Sequence, residues 1–221
     1  MVILDNRKNV RSFGRINSRG VLKSKENVIE NILPKYSIGL DYPINPDIVN
    51  HLEVGFGHGE SMAERAKKNE NINYIGCETY VKGVLDLLDI IVKNNLKNIN
   101  IFNGDARLLL ENLKNDSLDM IFILFPDPWP KKKHHRRRII NEDFLHLVSE
   151  KLKTGGQLFF SSDIDAYVEY TIEMVVKTGY FKELFDKNNC GITPEWWVET
   201  KYQKKAMNTG RISKFLTWEK L

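Results

Sequence analysis

From about residue 48 onward the chain alternates short apolar runs with longer amphipathic stretches, and no other feature of the sequence constrains the fold as tightly. A parallel strand buried on both faces reads as a short continuous apolar run, and the helix that returns the chain reads as a stretch with apolar residues three and four apart. Runs at 48–54 (IVNHLEV), 73–77 (NYIGC), 98–102 (NINIF), 118–124 (LDMIFIL) and 156–161 (GQLFFS), with two more near 180–185 and 213–218, predict seven strands. Helices are predicted at about 60–69, 80–94, 106–113, 141–152 and 163–178. The expectation is an α/β, Rossmann-like domain over 48–221, with a mostly parallel seven-stranded sheet and helices on both faces. Residues 1–47 contain Pro34, Pro43 and Pro46 and no sustained periodicity, so they are expected to form a basic N-terminal arm rather than a second domain.

With 221 residues, 42% of them hydrophobic, the chain can bury one full core, which excludes a disordered tail or a fibrous repeat. No run of 18 apolar residues occurs, and Asp5 interrupts the N-terminus after four residues, so neither a membrane span nor a secretory segment is expected and the protein is placed in the cytoplasm. Cys77 and Cys190 have no CxxC or histidine spacing around them, so neither a disulfide nor a metal is expected. Oligomeric state is left open between monomer and homodimer. Net charge is only +4, but three segments (1–35, 131–138 and 201–221) together carry +16, which leaves −12 on the remainder. An acidic body with three basic patches suits a polyanionic partner such as nucleic acid.

Directly after the first strand comes Glu53-Val54-Gly55-Phe56-Gly57-His58-Gly59-Glu60. Glycines at alternate positions let a ligand touch the backbone. A dinucleotide fingerprint needs glycine where this chain has Glu60, and an acid there opposes a pyrophosphate at the positive helix end. A cofactor without phosphate, bearing cationic groups, fits better. Glu78 stands at the end of the second strand, where a carboxylate can accept ribose hydroxyls, and Asp105, in Gly104-Asp105-Ala106 after the third, is placed to meet an adenine. Both acids can instead serve as helix caps. Ligands of open α/β sheets bind beyond the carboxyl ends of the strands, so Glu53, Glu78, Asp105 and Asp127 are expected around one crevice.

The fourth strand runs into Phe125-Pro126-Asp127-Pro128-Trp129-Pro130 and then KKKHHRRR. Three prolines stiffen this turn. A carboxylate can accept from a base edge, an indole can stack an extruded base or simply pack its own loop, and Lys or Arg can hold flanking phosphates. That set reads as a modifier of nucleic-acid bases. Trp196 and Trp197 either line a base pocket or pack the core.

The segments RSFGR, LPKYSI, LEVGFGHGE, YIGCE, NGDA, PDPWPKKKHHRRR, SSD and WVETKYQKK, spread over about 200 residues, resemble those of bacterial tRNA (guanine-N7)-methyltransferases. The resemblance implies a class I methyltransferase fold that uses S-adenosylmethionine to methylate N7 of a guanine in the variable loop of tRNA. It implies cofactor contacts at Glu53, Gly55, Gly57, Gly59, Glu78, Asp105, Ala106 and Asp127, with Asp127 also the active-site residue. Substrate contacts are implied at Lys131, Asp163 and Thr200, Lys201, Tyr202 and Gln203. Many relatives carry Glu where this chain has Gln203, whose oxygen can still accept from a guanine N–H. Arg136, Arg137 and Arg138 are expected to dock RNA phosphates, with Arg11 and Arg15 helping to clamp the tRNA body. The rival readings are a non-catalytic RNA-binding module, a methyltransferase of another RNA base and a small-molecule methyltransferase.

Overall fold

The computed structural model of the protein describes residues 26–187 and 189–221, so Arg11 and Arg15 lie outside the described residues. The chain divides after Lys114 into two compact units. Its strands form a seven-stranded sheet in the order β3-β2-β1-β4-β5-β7-β6. Among the described residues no helix is long and apolar enough to cross a membrane.

The first unit contains helices α1 (Glu26–Asn31) and α2 (Leu33–Tyr36), strand β1 (Val49–Val54), helix α3 (Glu60–Lys68), strand β2 (Ile72–Cys77), helix α4 (Val81–Asn94), strand β3 (Ile99–Phe102) and helix α5 (Ala106–Asn112). β1 pairs parallel with β2, and β2 with β3. Along α4 the buried residues Val81, Val84, Leu85, Leu88 and Ile91 fall three and four apart, which is the stripe a helix lays on a sheet. The helix stops at Asn95, whose left-handed conformation (φ 53°) turns the chain out. Residues 26–36, expected as part of an arm, are helical and bury Leu33 in the same core as Val84, Leu88 and Ile101, with Val28, Ile29 and Ile32 packed against it. Their apolar run is too short to show a helical period, which is why the sequence alone did not reveal it.

The second unit contains strand β4 (Leu118–Leu124), a 3₁₀ helix η1 (Lys132–Arg137), helix α6 (Glu142–Lys151), strand β5 (Leu152–Ser162), helix α7 (Asp165–Thr178), strand β6 (Phe181–Glu183), helix α8 (Lys201–Asn208) and strand β7 (Lys214–Lys220). β4 pairs parallel with β5, while β7 runs antiparallel to both β5 and β6. Asn141 caps α6 by accepting from the Phe144 N–H at 3.0 Å, and Gly179 ends α7 at φ 70°. Neither η1 nor α8 is legible as a periodic element. η1 has no apolar residue, and α8 buries only Gln203 and Ala206.

Candidate active site

In the first unit, strand register does the positioning. Val54 pairs with Cys77, and Cys77 with Phe102, so the three strands end side by side and release Gly55, Glu78 and Asn103 at one edge. Gly55, Gly57 and Gly59 all have positive φ (70°, 61° and 78°), a conformation other residues adopt only at a cost. A Cβ at Gly55 would meet nothing within 4 Å, so this turn leaves open space against its backbone. The loop is held from its far side. Gly83, near the start of α4, comes so close that a Cβ there would collide with the Gly57 carbonyl, and His58 Nδ1 lies 2.5 Å from Asp86 on the same helix.

Glu78 ties this edge together. Its Oε2 accepts from the Gly57 N–H, and its Oε1 from the Thr79 and Tyr80 N–H groups, each at 2.8 Å. Its backbone carbonyl accepts from Asn103 Nδ2 at 2.7 Å. Burial pushes the carboxyl up from its ordinary value, against the three N–H groups, which pull it down. The Thr79 side chain is a fourth donor to it, so its roughly four acceptor positions are met within the chain, the rotatable Thr79 hydroxyl being the donor that an incoming hydroxyl can replace.

The other two acids of this unit are engaged within it. Glu53 is buried and ion-paired with Arg65 of α3, which also donates to Ser61 Oγ at 2.7 Å. The sequence reading placed Glu53 as a carboxylate facing a ligand. In the folded chain its ion pair braces the end of β1, and Arg65, a charge on the buried face of α3, was the missed partner. Asp105 takes the capping role: it accepts from the Arg107 N–H at 3.0 Å and from the Arg107 guanidinium at 2.9 and 2.7 Å. Ala106, the first residue of α5, is buried.

In the second unit the chain leaves β4 at a strained turn. Phe125 and Trp129, both followed by proline, have φ of 47° and 43°, a conformation that costs bulky residues of order 1–3 kcal/mol each. Phe125 is fixed by its N–H on the Ser161 carbonyl (2.9 Å) and by ring contacts to Trp197 and Tyr202. Asp127, in the middle, is exposed. The Trp129 indole packs against its own loop, one of the two roles open to it. It meets His134 edge-on at 5.8 Å, and the Arg137 guanidinium carbon lies 4.8 Å from its ring centre. Desolvation, and then the cations Arg137, Lys133, Lys131 and Arg136, hold the His134 imidazole below its ordinary range.

Lys131, Lys132, Lys133 and Arg136 are exposed, and Arg137 is half-buried. Arg138 is not available to solvent at 6% exposure, so its expected phosphate contact is corrected: the side chain points into the protein. Asp163, just past the end of β5, pairs with Arg211 at 2.7 Å. Thr200 caps α8 by accepting from the Gln203 N–H at 3.1 Å. Lys201 and Tyr202 are exposed, whereas Gln203 is buried and its Oε1 accepts from the Trp197 indole N–H at 2.5 Å, so the oxygen expected to read a guanine already carries one hydrogen bond. Trp197 is core; Trp196, 41% exposed, lies against Phe159.

Comparison with known proteins bears on both units. The family profile Methyltransf_4, described as "Putative methyltransferase", matches residues 47–216. A bifunctional methyltransferase of Rickettsia conorii is 37% identical over 206 residues, which cover 93% of this chain but 39% of the relative, so the chain spans about two fifths of that protein. A tRNA (guanine-N(7)-)-methyltransferase of Agrobacterium fabrum is 36% identical over 216 residues and covers 93% of both chains. Among solved structures, the aminoglycoside resistance methyltransferase NpmB1 superposes with a TM-score of 0.55 at 13% identity, over 81% of this chain and 95% of that one, which speaks for a shared class I methyltransferase fold. With the profile match over most of its length and a relative of this similarity end to end, the chain belongs to the Methyltransf_4 family of methyltransferases, alongside the tRNA (guanine-N(7)-)-methyltransferases.

Proposed function

We propose that the protein transfers a methyl group from S-adenosylmethionine to N7 of a guanine in tRNA, within the variable loop, and works in the cytoplasm. The observation that carries the cofactor half is the glycine turn beside Glu78: positive-φ glycines with open space at Gly55, next to a carboxylate one of whose donors, the rotatable Thr79 hydroxyl, a ribose hydroxyl can replace, with no basic side chain among its hydrogen-bond partners. Such a site suits a ribose and a cationic group better than a pyrophosphate. The nucleic-acid half rests on the exposed Lys131, Lys132, Lys133 and Arg136 beside Asp127 and on the name of the Agrobacterium relative.

When bound, S-adenosylmethionine supplies a methyl carbon made electrophilic by its sulfonium. Gly55 and Glu78 fix the ribose end. Asp105 and Ala106, at the start of α5, border the adenine. Guanine N7 carries a free lone pair and no proton, so the chain has no proton to remove. Its task is alignment of N7 with the methyl carbon, an effect that can lower a barrier by up to about 7–11 kcal/mol. Asp127 orients the base and offsets the positive charge that passes to the purine. Asp163, Lys201 and Tyr202 contact the base and its flanks, Gln203 supports them through Trp197, and Lys131 to Lys133, with Arg136 and Arg137, engage phosphates.

The test is nucleoside mass spectrometry of unmodified tRNA incubated with the full chain and methyl-labelled S-adenosylmethionine. The label is expected in 7-methylguanosine. Label in another nucleoside, or none, would overturn the reading.

A further inference from the structure

Of six cations in the KKKHHRRR run, one behaves unlike the rest. Arg138 is buried, its Nε donates to the Pro128 carbonyl at 2.9 Å, and its terminal nitrogen lies 3.2 Å from His135 Nε2. Its guanidinium carbon stands 4.9 Å from the ring centre of Tyr167 and 4.5 Å from that of Tyr170, both on α7. Tyr170 is itself fixed by its hydroxyl on the Ile140 carbonyl at 3.1 Å.

The carbonyl that Arg138 holds lies between the two strained residues. Pro126 and Pro128 have locked φ angles, and each proline also restricts the residue before it, so few soft dihedrals remain from Phe125 to Pro130. Phe125 is anchored at one end of the turn by Ser161. A single further tether at Pro128 is then enough to fix Asp127, the residue in between. An arginine is suited to this because its planar fork can lie against two rings while one N–H donates in its own plane, which the point charge of a lysine cannot reproduce.

We infer that Arg138 is a positioning residue rather than an RNA ligand: it fastens the Pro128 carbonyl to Tyr167 and Tyr170 of α7 and so sets where Asp127 stands. This rests on the proposed role of Asp127 in methyl transfer. It also separates the exposed Lys131, Lys132, Lys133 and Arg136, which meet phosphate, from a buried residue that shapes the turn.

The experiment compares the full-length parent with Arg138→Met, Arg138→Lys and Arg136→Gln. Three quantities are read: single-turnover methylation at saturating tRNA and S-adenosylmethionine, the slope of log affinity for tRNA against log salt, and hydrogen exchange of the Phe125 amide, which donates to the Ser161 carbonyl at the start of the turn. In Arg138→Met the rate falls tenfold or more and loop exchange quickens at least tenfold, while the salt slope stays that of the parent. Arg138→Lys keeps the charge and does not restore the rate. Arg136→Gln lowers the slope by about 0.7–0.9, as one lost phosphate requires. If Arg138→Met does not fold, Tyr170→Leu at its half-exposed site removes one ring and is expected to cost several-fold in rate and to quicken the same amide. Loop exchange equal to the parent's overturns the inference whatever the activity, and so does a slope that drops in Arg138→Met while the saturated rate holds. A parent that folds but transfers no methyl group counts against the proposed function alone, because the exchange measurement still decides the role of Arg138.

Discussion

The glycine edge and the Asp127 turn present carboxylates by opposite means. At the first, three parallel strands end in register, glycines accept positive φ without strain, and Glu78 is held chiefly by backbone N–H groups. At the second, bulky residues are forced into positive φ, prolines remove freedom, and side chains from three segments hold the turn: Tyr202, Trp197 and Arg138. A site built from backbone register tolerates most side-chain changes nearby as long as the buried Glu53–Arg65 brace beneath it is kept, whereas one built from packed aromatics and a buried cation loses its shape with any of them. The difference orders the expected effects of substitution.

The largest effect falls on the brace under the glycine edge. Arg65→Met leaves the buried Glu53 carboxylate without its partner and is expected to destabilise the fold by about 3–5 kcal/mol. Urea titration checks this through the midpoint at constant slope, and a loss under about 1 kcal/mol would show that the pair braces nothing. Next comes the turn itself. Asp127→Asn preserves shape but removes a fixed charge and should cut turnover about 10²–10³-fold, with cofactor affinity unchanged.

Glu78→Ala follows, at the cost of one charge-assisted hydrogen bond, about 1.5–3 kcal/mol of S-adenosylmethionine affinity measured by calorimetry. Its pH dependence sharpens the comparison. Because burial raises the folded value of this carboxyl above the unfolded one, its contribution to folding stability is present below the unfolded value and lost as pH rises through the folded one. Cofactor binding needs the ionised form and runs the other way, so affinity should weaken from pH 7 toward pH 5 sooner than an ordinary carboxylate would allow, and Glu78→Ala should abolish that dependence. An affinity that is flat in the parent over this range would remove Glu78 from the cofactor site. A smaller effect is expected on phosphate binding, where each of Lys132, Lys133 and Arg136, changed singly to Gln, should take about 0.7–0.9 from the salt slope.

The two regions were also unequally legible in the sequence. Strand ends, the glycine turn, Glu78 and the helices with apolar stripes followed from period and spacing, because local rules decide them. Arg65 pairs with Glu53 across 12 residues, and its sign is visible only once α3 is known to bury that face. Arg138 sat within a run of like charges, where nothing in the pattern distinguishes it from Arg136. Gln203 read as a polar contact because its partner, Trp197, reaches it only when α8 folds back. In each case burial, which the sequence pattern does not show, decided the role of a charged or polar side chain.

The central claim is that the chain aligns a nucleophile needing no deprotonation, and the pH dependence of the chemical step addresses it directly. Single-turnover methylation of tRNA at saturating S-adenosylmethionine, measured from about pH 6 to 9, should give a rate in the parent that does not rise with pH, since no general base has to lose a proton. A tenfold rise per pH unit that disappears in Asp127→Asn would contradict the account and make Asp127 a base.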